Sequence, residues 1–258
     1  MGENAYGQLG DGTTYNANTP EEIISNGVVA IAAGDSFSLF LKSDGSLWGM
    51  GWNPEDQLGN GAPSDTVVPV EIVSNGVVAI AAGGFHSLFL KSDGSMWGIG
   101  GNFDGQLGDG TMNNAPVPEQ IVSNGVVAIS AGYYHSLFIK SDGSLWAMGY
   151  NGSGQLGDGT FNTTNAPEQI VSSGVLAAVA GVSDSLFLKT DGSLWAMGIS
   201  SNRPVEIISS GVQHIADGPR QQQILVVESD GSLWGFGADS WGQLGDGFFG
   251  SSSFPERI

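Results

Sequence analysis

The sequence predicts an all-β chain folded as a β-propeller of four-stranded antiparallel blades, and three observations carry that expectation. The tetrapeptide Ser43-Asp44-Gly45-Ser46 returns at Ser92, Ser141, Thr190 and Ser229, at spacings of 49, 49, 49 and 39 residues. Each unit is cut by glycine-containing turns into short apolar runs without helical periodicity. Runs such as Leu88-Phe89-Leu90 are apolar at consecutive positions, which requires cover on both faces of the strand. A unit of this length that cannot bury itself is a blade, and blades stacked about an axis supply the missing cover.

The elements follow in order. Gly7-Gln8-Leu9-Gly10-Asp11-Gly12 opens the chain and recurs around Gln57, Gln106, Gln155 and Gln243. The copy expected between Trp195 and Pro204 is absent, which accounts for the shortened last spacing. Inner strands begin near Val28, Val77, Val126, Val175 and Val212. In the second unit the strands read Val77–Ala82, Ser87–Lys91, Ser95–Ile99 and Val70–Val73 or its next copy, divided by Gly83-Gly84, Asp93-Gly94 and Asn75-Gly76. Asn-Gly and Asp-Gly are expected as two-residue hairpin turns with positive φ at both central positions. Trp48, Trp97, Trp146, Trp195 and Trp234 hold one place in each unit and are expected to pack between blades.

Five full units are accompanied by six Pro-x-x-Ile segments, at Pro20, Pro69, Pro118, Pro167, Pro204 and Pro255. One outer strand is therefore surplus. Either five blades close with a spare strand, or the propeller is incomplete and its open edge invites pairing with another copy. Residues 1–258 are read as one propeller domain in both cases.

Composition narrows the function. With 42 Gly, 10 Pro and 13% charged residues the chain is neither a helical bundle nor a disordered polymer. Seven Lys and Arg against 26 Asp and Glu give a net charge of −19, which repels phosphate backbones and argues against nucleic acid as a partner. The absence of Cys excludes disulfides, a thiol nucleophile and thiolate zinc sites. Apolar stretches such as Val77–Ala82 are far below the roughly 20 residues that cross a bilayer. No basic segment followed by an apolar one opens the chain, although Met1-Gly2 could stand where a signal was removed. The acidic, Lys-poor, Cys-free composition favours a secreted or cell-surface location.

The residues that could carry chemistry point away from catalysis. His86 and His135 share one repeat position, but Phe37, Asp184 and Gln221 are read there in the other units, so no ring of metal ligands forms. His214 is isolated. Asp11, Asp109, Asp158 and Asp246, with Asn60 in the second copy, suit a turn in which the side chain accepts backbone N–H bonds two residues on. No segment alternates oxygen ligands towards a bidentate Glu, as a calcium loop would. Gly152-Ser153-Gly154-Gln155-Leu156-Gly157 matches the dinucleotide pattern by letters but follows no βαβ unit. No nucleophile–base pair can be named, and neither cofactor nor metal is expected.

What varies within the repeat is its loops. Strands alternate in direction, so two loop sets should emerge on one propeller face. The first reads Asp35-Ser36-Phe37, Gly84-Phe85-His86, Tyr133-Tyr134-His135, Val182-Ser183-Asp184 and Pro219-Arg220-Gln221; the second offers Trp52, Phe103, Tyr150 and Trp241. Aromatic side chains dominate binding hot spots, and a constant frame with changing loop tips makes a recognition surface. The expected contact residues are Phe37, Trp52, Phe85, His86, Phe103, Tyr133, Tyr134, His135, Tyr150 and Trp241.

Gly83–Leu88 and Gly132–Leu137 read Gly-x-x-His-Ser-Leu, followed by Asp-Gly-x-x-Trp and by Gly-Gln-Leu-Gly-Asp-Gly-Thr. Together, from about Gly7 to Ile258, these motifs resemble the regulator of chromosome condensation repeat. The resemblance implies a propeller usually closed by seven blades, so five full copies are a departure. It also implies that His86 and His135 hydrogen-bond nearby backbone within the turn. Members of the family include a nucleotide exchange factor for a small GTPase, a plant ultraviolet photoreceptor and a secreted bacterial β-lactamase inhibitor. The charge of −19 suits the chromatin-binding exchange factor poorly, and three Arg with most Trp at framework positions suit the photoreceptor poorly. The bacterial inhibitor is the nearest in style. The expected function is thus a non-catalytic protein-binding scaffold with an aromatic, acidic face that favours a basic partner. A glycan-binding propeller and a structural repeat module assembling through its open edge are the alternatives.

Overall fold

The computed structural model describes residues 1–198, 201–217 and 223–258. Its twenty strands form five four-stranded antiparallel sheets in sequence order. Blade 1 comprises β1 (Val28–Ala33), β2 (Phe37–Lys42), β3 (Leu47–Gly51) and β4 (Thr66–Val73). Blade 2 comprises β5 (Val77–Ala82), β6 (His86–Lys91), β7 (Met96–Gly100) and β8 (Ala115–Val122). Blade 3 holds β9 (Val126–Ala131), β10 (His135–Lys140), β11 (Leu145–Gly149) and β12 (Thr164–Val171). Blade 4 holds β13 (Val175–Ala180), β14 (Ser185–Lys189), β15 (Leu194–Met197) and β16 (Val205–Ile208). Blade 5 holds β17 (Val212–Asp217), β18 (Gln223–Glu228), β19 (Leu233–Gly237) and β20 (Ser252–Arg257).

The second strands are sandwiched as their unbroken apolar runs require. Leu39, Leu88, Leu137 and Leu186 are all buried, and core clusters join adjacent blades: Leu39, Leu47 and Leu58 pack with Val77, Phe89 and Ile99. Trp97 packs against that shared cluster, and Trp195 against its counterpart between blades 3 and 4. In blades 1–4 the indole also stacks on the Phe opposite it in the hairpin, as in Phe89–Trp97 at 6.1 Å and 9°, whereas Trp234 faces Val226; all five donate Nε1–H to a serine, as Trp97 does to Ser95. The ammonium groups of Lys42, Lys91, Lys140 and Lys189 lie 4.0–4.9 Å from the indole centroids of their own blades. All four lysines of the chain are thereby committed to one end of the propeller, the hairpin end.

Two turn expectations are corrected. Asp56 is the one non-glycine residue of positive φ among the described residues, so Asp93-Gly94 is not a turn with two left-handed residues. Gly94 N–H bonds Lys91 O and Lys91 N–H bonds Ser95 O, the pattern of a type I turn followed by a left-handed glycine. Asp93 Oδ1 instead accepts the N–H and hydroxyl of Ser95, which holds its carboxyl below the usual range. Asn75-Gly76 closes no hairpin either; it carries the chain from β4 to β5 in the next blade.

The segment around Pro20 pairs with no sheet, and the described N-terminal residues carry only a bridge between Gly2 and Ala17. Consecutive first strands pack side by side from β1 to β17, and no comparable packing returns from β17 to β1. Exposure marks the two ends. Val28 is 38% exposed where Val77 is 3%, Ile31 is 81% exposed, and Leu233 is 39% exposed where Leu47 is 0%.

The loop end is locked from blade to blade. Ser87, Ser136 and Ser185 donate their hydroxyls to the carbonyls of Gln57, Gln106 and Gln155 in the preceding repeat, at 2.7–2.8 Å. Ser136 and Ser185 then accept from the Nε2–H of His86 and His135, both at 2.8 Å. The histidines therefore bridge successive blades rather than bonding backbone in their own turn. Gly83 allows this approach, since a Cβ there would lie 2.4 Å from the His86 ring. In blade 4 Asp184 takes the histidine position opposite Gly198, and Ile224 fills the slot where a serine would receive it. Register places Gln223, not Gln221, at that position in blade 5, opposite Gly237. The predicted loop Pro219-Arg220-Gln221 lies outside the described residues.

The N-terminal loop and the long loops after the third strands of blades 1–3 are each built on a buried asparagine. Asn102 Oδ1 accepts the N–H of Leu107, while its Nδ2 donates to Asp109 Oδ1 and Thr111 O. Asn4, Asn53 and Asn151 repeat the arrangement, with Asn60 in place of the aspartate in the second copy. The aspartates accept N–H two residues on, as the sequence suggests. In blade 5 the asparagine is replaced by Asp239, whose Oδ1 still accepts Leu244 N–H but whose Oδ2 is buried without a partner.

Two predictions follow from these locks. Burial pushes the pKa of His86 down to about 3 and that of His135 to about 4, while the unfolded value is about 6.5. The unfolded chain therefore takes up protons the folded one refuses, and stability falls as pH drops from about 6.5 towards 4. The double variant His86→Gln/His135→Gln, which installs the blade 5 residue type, should lose on the order of 2 kcal/mol per histidine of the stability difference between pH 7 and pH 5; a thermal melt series checks it. Asp239→Asn supplies the missing donor towards Asp246 and should raise stability by about 1–3 kcal/mol in denaturant titration.

Candidate functional site

The turns between first and second strands and the loops between third and fourth strands leave from the same end of every blade. Six rings from three blades and the N-terminal loop meet there in one strip. Tyr6 lies 6.4 Å from Trp52, Trp52 5.5 Å from Phe85, Phe85 5.7 Å from Tyr134, and Tyr134 6.2 Å from Tyr150. Tyr133 fills the angle, 5.2 Å from Phe85 and 4.6 Å from Tyr134. Most pairs are edge-to-face, the favoured geometry, and Phe85–Tyr134 is stacked.

Backbone bonds fix the ring-bearing residues. Trp52 N–H bonds Ser36 O, Gly101 N–H bonds Phe85 O and Tyr150 N–H bonds Tyr134 O, which extends each hairpin one rung beyond its strands. Gly84 N–H bonds Gly132 O and Tyr133 N–H bonds Gly181 O, which tie neighbouring blades at the rim. The glutamines of the repeated motif finish the loops: Gln57, Gln106 and Gln155 accept, through Oε1, the N–H of Glu55, Asp104 and Ser153. A strip held this way presents its rings with little conformational freedom left to lose.

Acidic groups border the strip. Burial, together with the charges of Asp104 and Asp35 nearby, raises the pKa of the Tyr134 phenol. Glu55 stands beside Phe85 across Gly101 and accepts the amide of Asn114 through Oε2. Burial raises the carboxyls of Asp104 and Asp56, the latter with help from Glu55.

The predicted contact residues divide. Trp52, Phe85, Tyr133, Tyr134 and Tyr150 come together in the strip. Phe37, His86 and His135 leave the exposed set, because they are buried at 1%, 0% and 0% exposure in the blade-to-blade packing. Phe103 and Trp241 are exposed, at 55% and 84%, but stand apart from the strip. Counting from the buried asparagine shows why: Trp52 and Tyr150 precede Asn53 and Asn151, whereas Phe103 follows Asn102 and Trp241 falls two residues after Asp239. Tyr6 was not foreseen, although it stands where Glu55 and Asp104 do in the next two copies of the loop.

A cavity of about 430 Å³ lies between blades 4 and 5, lined in part by Ser153, Asp184, Ile224 and Phe236. Asp184 Oδ1 is buried without a hydrogen-bond partner, and burial raises its carboxyl. Among the described residues no group of three or more His, Asp or Glu is arranged to hold a metal ion, and no helix is long and apolar enough to cross a membrane.

The fold has close structural counterparts. Human WBSCR16 superposes on all of this chain with a TM-score of 0.86 at 23% identity, over 75% of its own length. Yeast RCC1 (Prp20), solved bound to Kap60, matches 90% of the chain at TM-score 0.76 and 18% identity. Prp20p from Saccharomyces cerevisiae, described with its binding properties to Gsp1p and histones, matches the same share at 0.75 and 21%. In both yeast structures the chain spans 63% of the neighbour's length. No curated protein sequence matches it. The sequence model of the RCC1-like domain, however, matches residues 1–247, and with the repeat motifs and the five stacked sheets this shows that the chain belongs to the RCC1-like propeller family.

Proposed function

We propose that this protein is a non-catalytic protein-binding scaffold whose contact surface is the strip of Tyr6, Trp52, Phe85, Tyr133, Tyr134 and Tyr150. One observation carries the reading. The repeat frame is nearly invariant across blades 1–3, whereas rings accumulate at the one end where the frame allows variation, and they touch one another across those blades. Adjoining aromatic side chains on a rigid support are the usual anchor of a protein interface. RCC1-family propellers commonly serve as protein-binding scaffolds, and the yeast neighbour is solved with a protein partner.

The exposed end strands favour a second reading, self-association of two copies. Val28 and Ile31 of β1 occupy positions that the preceding blade covers in blades 2–5, so a blade face of the same kind is the surface that fits them. Light scattering over a concentration series tests it: mass rising with concentration supports assembly, and a constant monomer removes it.

For the principal reading, the variant Phe85→Ala/Tyr133→Ala/Tyr134→Ala should lose protein partners captured by the wild-type chain from extract and identified by mass spectrometry. Because these rings are half-buried at the rim, its melting temperature should fall only slightly. Equal capture by both proteins would overturn the reading, and so would a large melting drop, which would return the rings to the core.

A further inference from the structure

Charge is distributed unequally between the two ends of the propeller. The loop-end segments of blades 1–3 and the N-terminal loop, residues 1–19, 34–36, 52–65, 83–85, 101–114, 132–134 and 150–163, contain nine carboxylates: Glu3, Asp11, Asp35, Glu55, Asp56, Asp65, Asp104, Asp109 and Asp158. They contain no Lys or Arg. The four lysines all lie at the opposite end, each over an indole of its own blade. Of the arginines, Arg203 comes from before β16 to pack over Gly159 in the blade 3 loop, Arg257 is in β20, and the sequence puts Arg220 between β17 and β18.

Four of the five framework indoles thus have cations supplied from within, whereas the six rings of the strip lie where these segments supply none. An aromatic face attracts a cation within about 6 Å of its centroid, more strongly where water is partly excluded. Carboxylates beside the same rings add a longer-range pull and hydrogen-bond acceptors matched to guanidinium. Glu55, across Gly101 from Phe85, and Asp104 and Asp35, whose charges act on Tyr134, provide that second element.

Resting on the scaffold reading above, we infer that the strip receives a cationic, extended segment of a partner protein, rich in arginine or lysine. The occupant is set by charge complementarity and by shape. Ring-to-ring steps of 5.5–6.4 Å from Tyr6 to Tyr150 make a track, not a pocket. Its length suits at most about seven residues of extended chain. An acidic or uncharged segment would meet the same rings but would be repelled by, or gain nothing from, their border.

The probe is an alternating arginine–glycine dodecapeptide titrated into the full chain by calorimetry, beside its citrulline–glycine and glutamate–glycine counterparts. The arginine peptide should bind at least about tenfold more tightly than the citrulline peptide, and should weaken as ionic strength approaches about 0.15 M, where the Debye length is about 8 Å. Glu55→Gln/Asp104→Asn should cut its affinity on the order of tenfold, and the Phe85, Tyr133, Tyr134 triple alanine variant should abolish binding. Equal binding of arginine and citrulline peptides, or no binding of either, overturns the cationic assignment. If partner capture still depends on the rings in that case, the scaffold reading survives. Arginine-peptide binding that neither variant alters would mean that the overall charge of −19 attracts it without a site, and this overturns the inference as well.

Discussion

A buried asparagine in the N-terminal loop and in each of blades 1–3 supports the loop end there. Asn4, Asn53, Asn102 and Asn151 are fully buried, and each closes a loop of more than ten residues by satisfying three backbone or side-chain groups at once. A loop of that length would otherwise leave polar backbone unpaired beside a packed core, which costs on the order of 1–3 kcal/mol for each orphaned group. The closed loop lays its leucine into the core, as Leu58, Leu107 and Leu156 are all fully buried. It also offers the carbonyl of Gln57, Gln106 or Gln155 to the serine of the next blade. Loop closure, core packing and blade-to-blade attachment are therefore one structure.

The strip of rings depends on that frame. Trp52 and Tyr150 directly precede the closing asparagine, while Phe85, Tyr133 and Tyr134 sit on turns tied to the next blade through Gly84, Gly132 and Gly181. The hydroxyls of Ser136 and Ser185, which each donate to a glutamine carbonyl and accept a histidine N–H from the preceding blade, hold those turns in place across blades 2–4. The pattern lapses at the junction of blades 4 and 5. Asp184 meets Ile224 there, and the asparagine motif is missing from the sequence between Trp195 and Pro204, so the last blade attaches by apolar packing of Leu186, Leu188, Val212 and Ile224 rather than by the polar lock.

Much of this was legible in the sequence, for physical reasons that also explain the rest. The first strand of the second unit could be placed to the residue, Val77–Ala82, because glycine turns bracket an apolar run. The loop aspartates could be read because their bonds are local, two residues along the chain. What could not be read was non-local. The partner of His86 is a serine 50 residues away in the next blade, and nothing in the local pattern of the turn points to it. Gln221 stands nine residues from Val212, as His86 does from Val77, but register puts Gln223 opposite Gly237 in that position. The buried asparagines recur every 49 residues and gave a usable signal that the more conspicuous Gly-Gln-Leu-Gly-Asp-Gly motif overshadowed. Phe37, His86 and His135 looked like loop-tip residues, yet each begins its strand and points into the blade packing.

The loops bearing the rings are as firmly held as the strands beneath them. Amide hydrogen exchange tests it most directly, through the N–H groups of Leu58, Leu107 and Leu156, whose only acceptors in the structure are Asn53, Asn102 and Asn151 Oδ1. These three amides should exchange as slowly as those of the second strands. Rapid exchange there, with the strands still protected, would show loops that open independently of the propeller and would contradict a preformed strip.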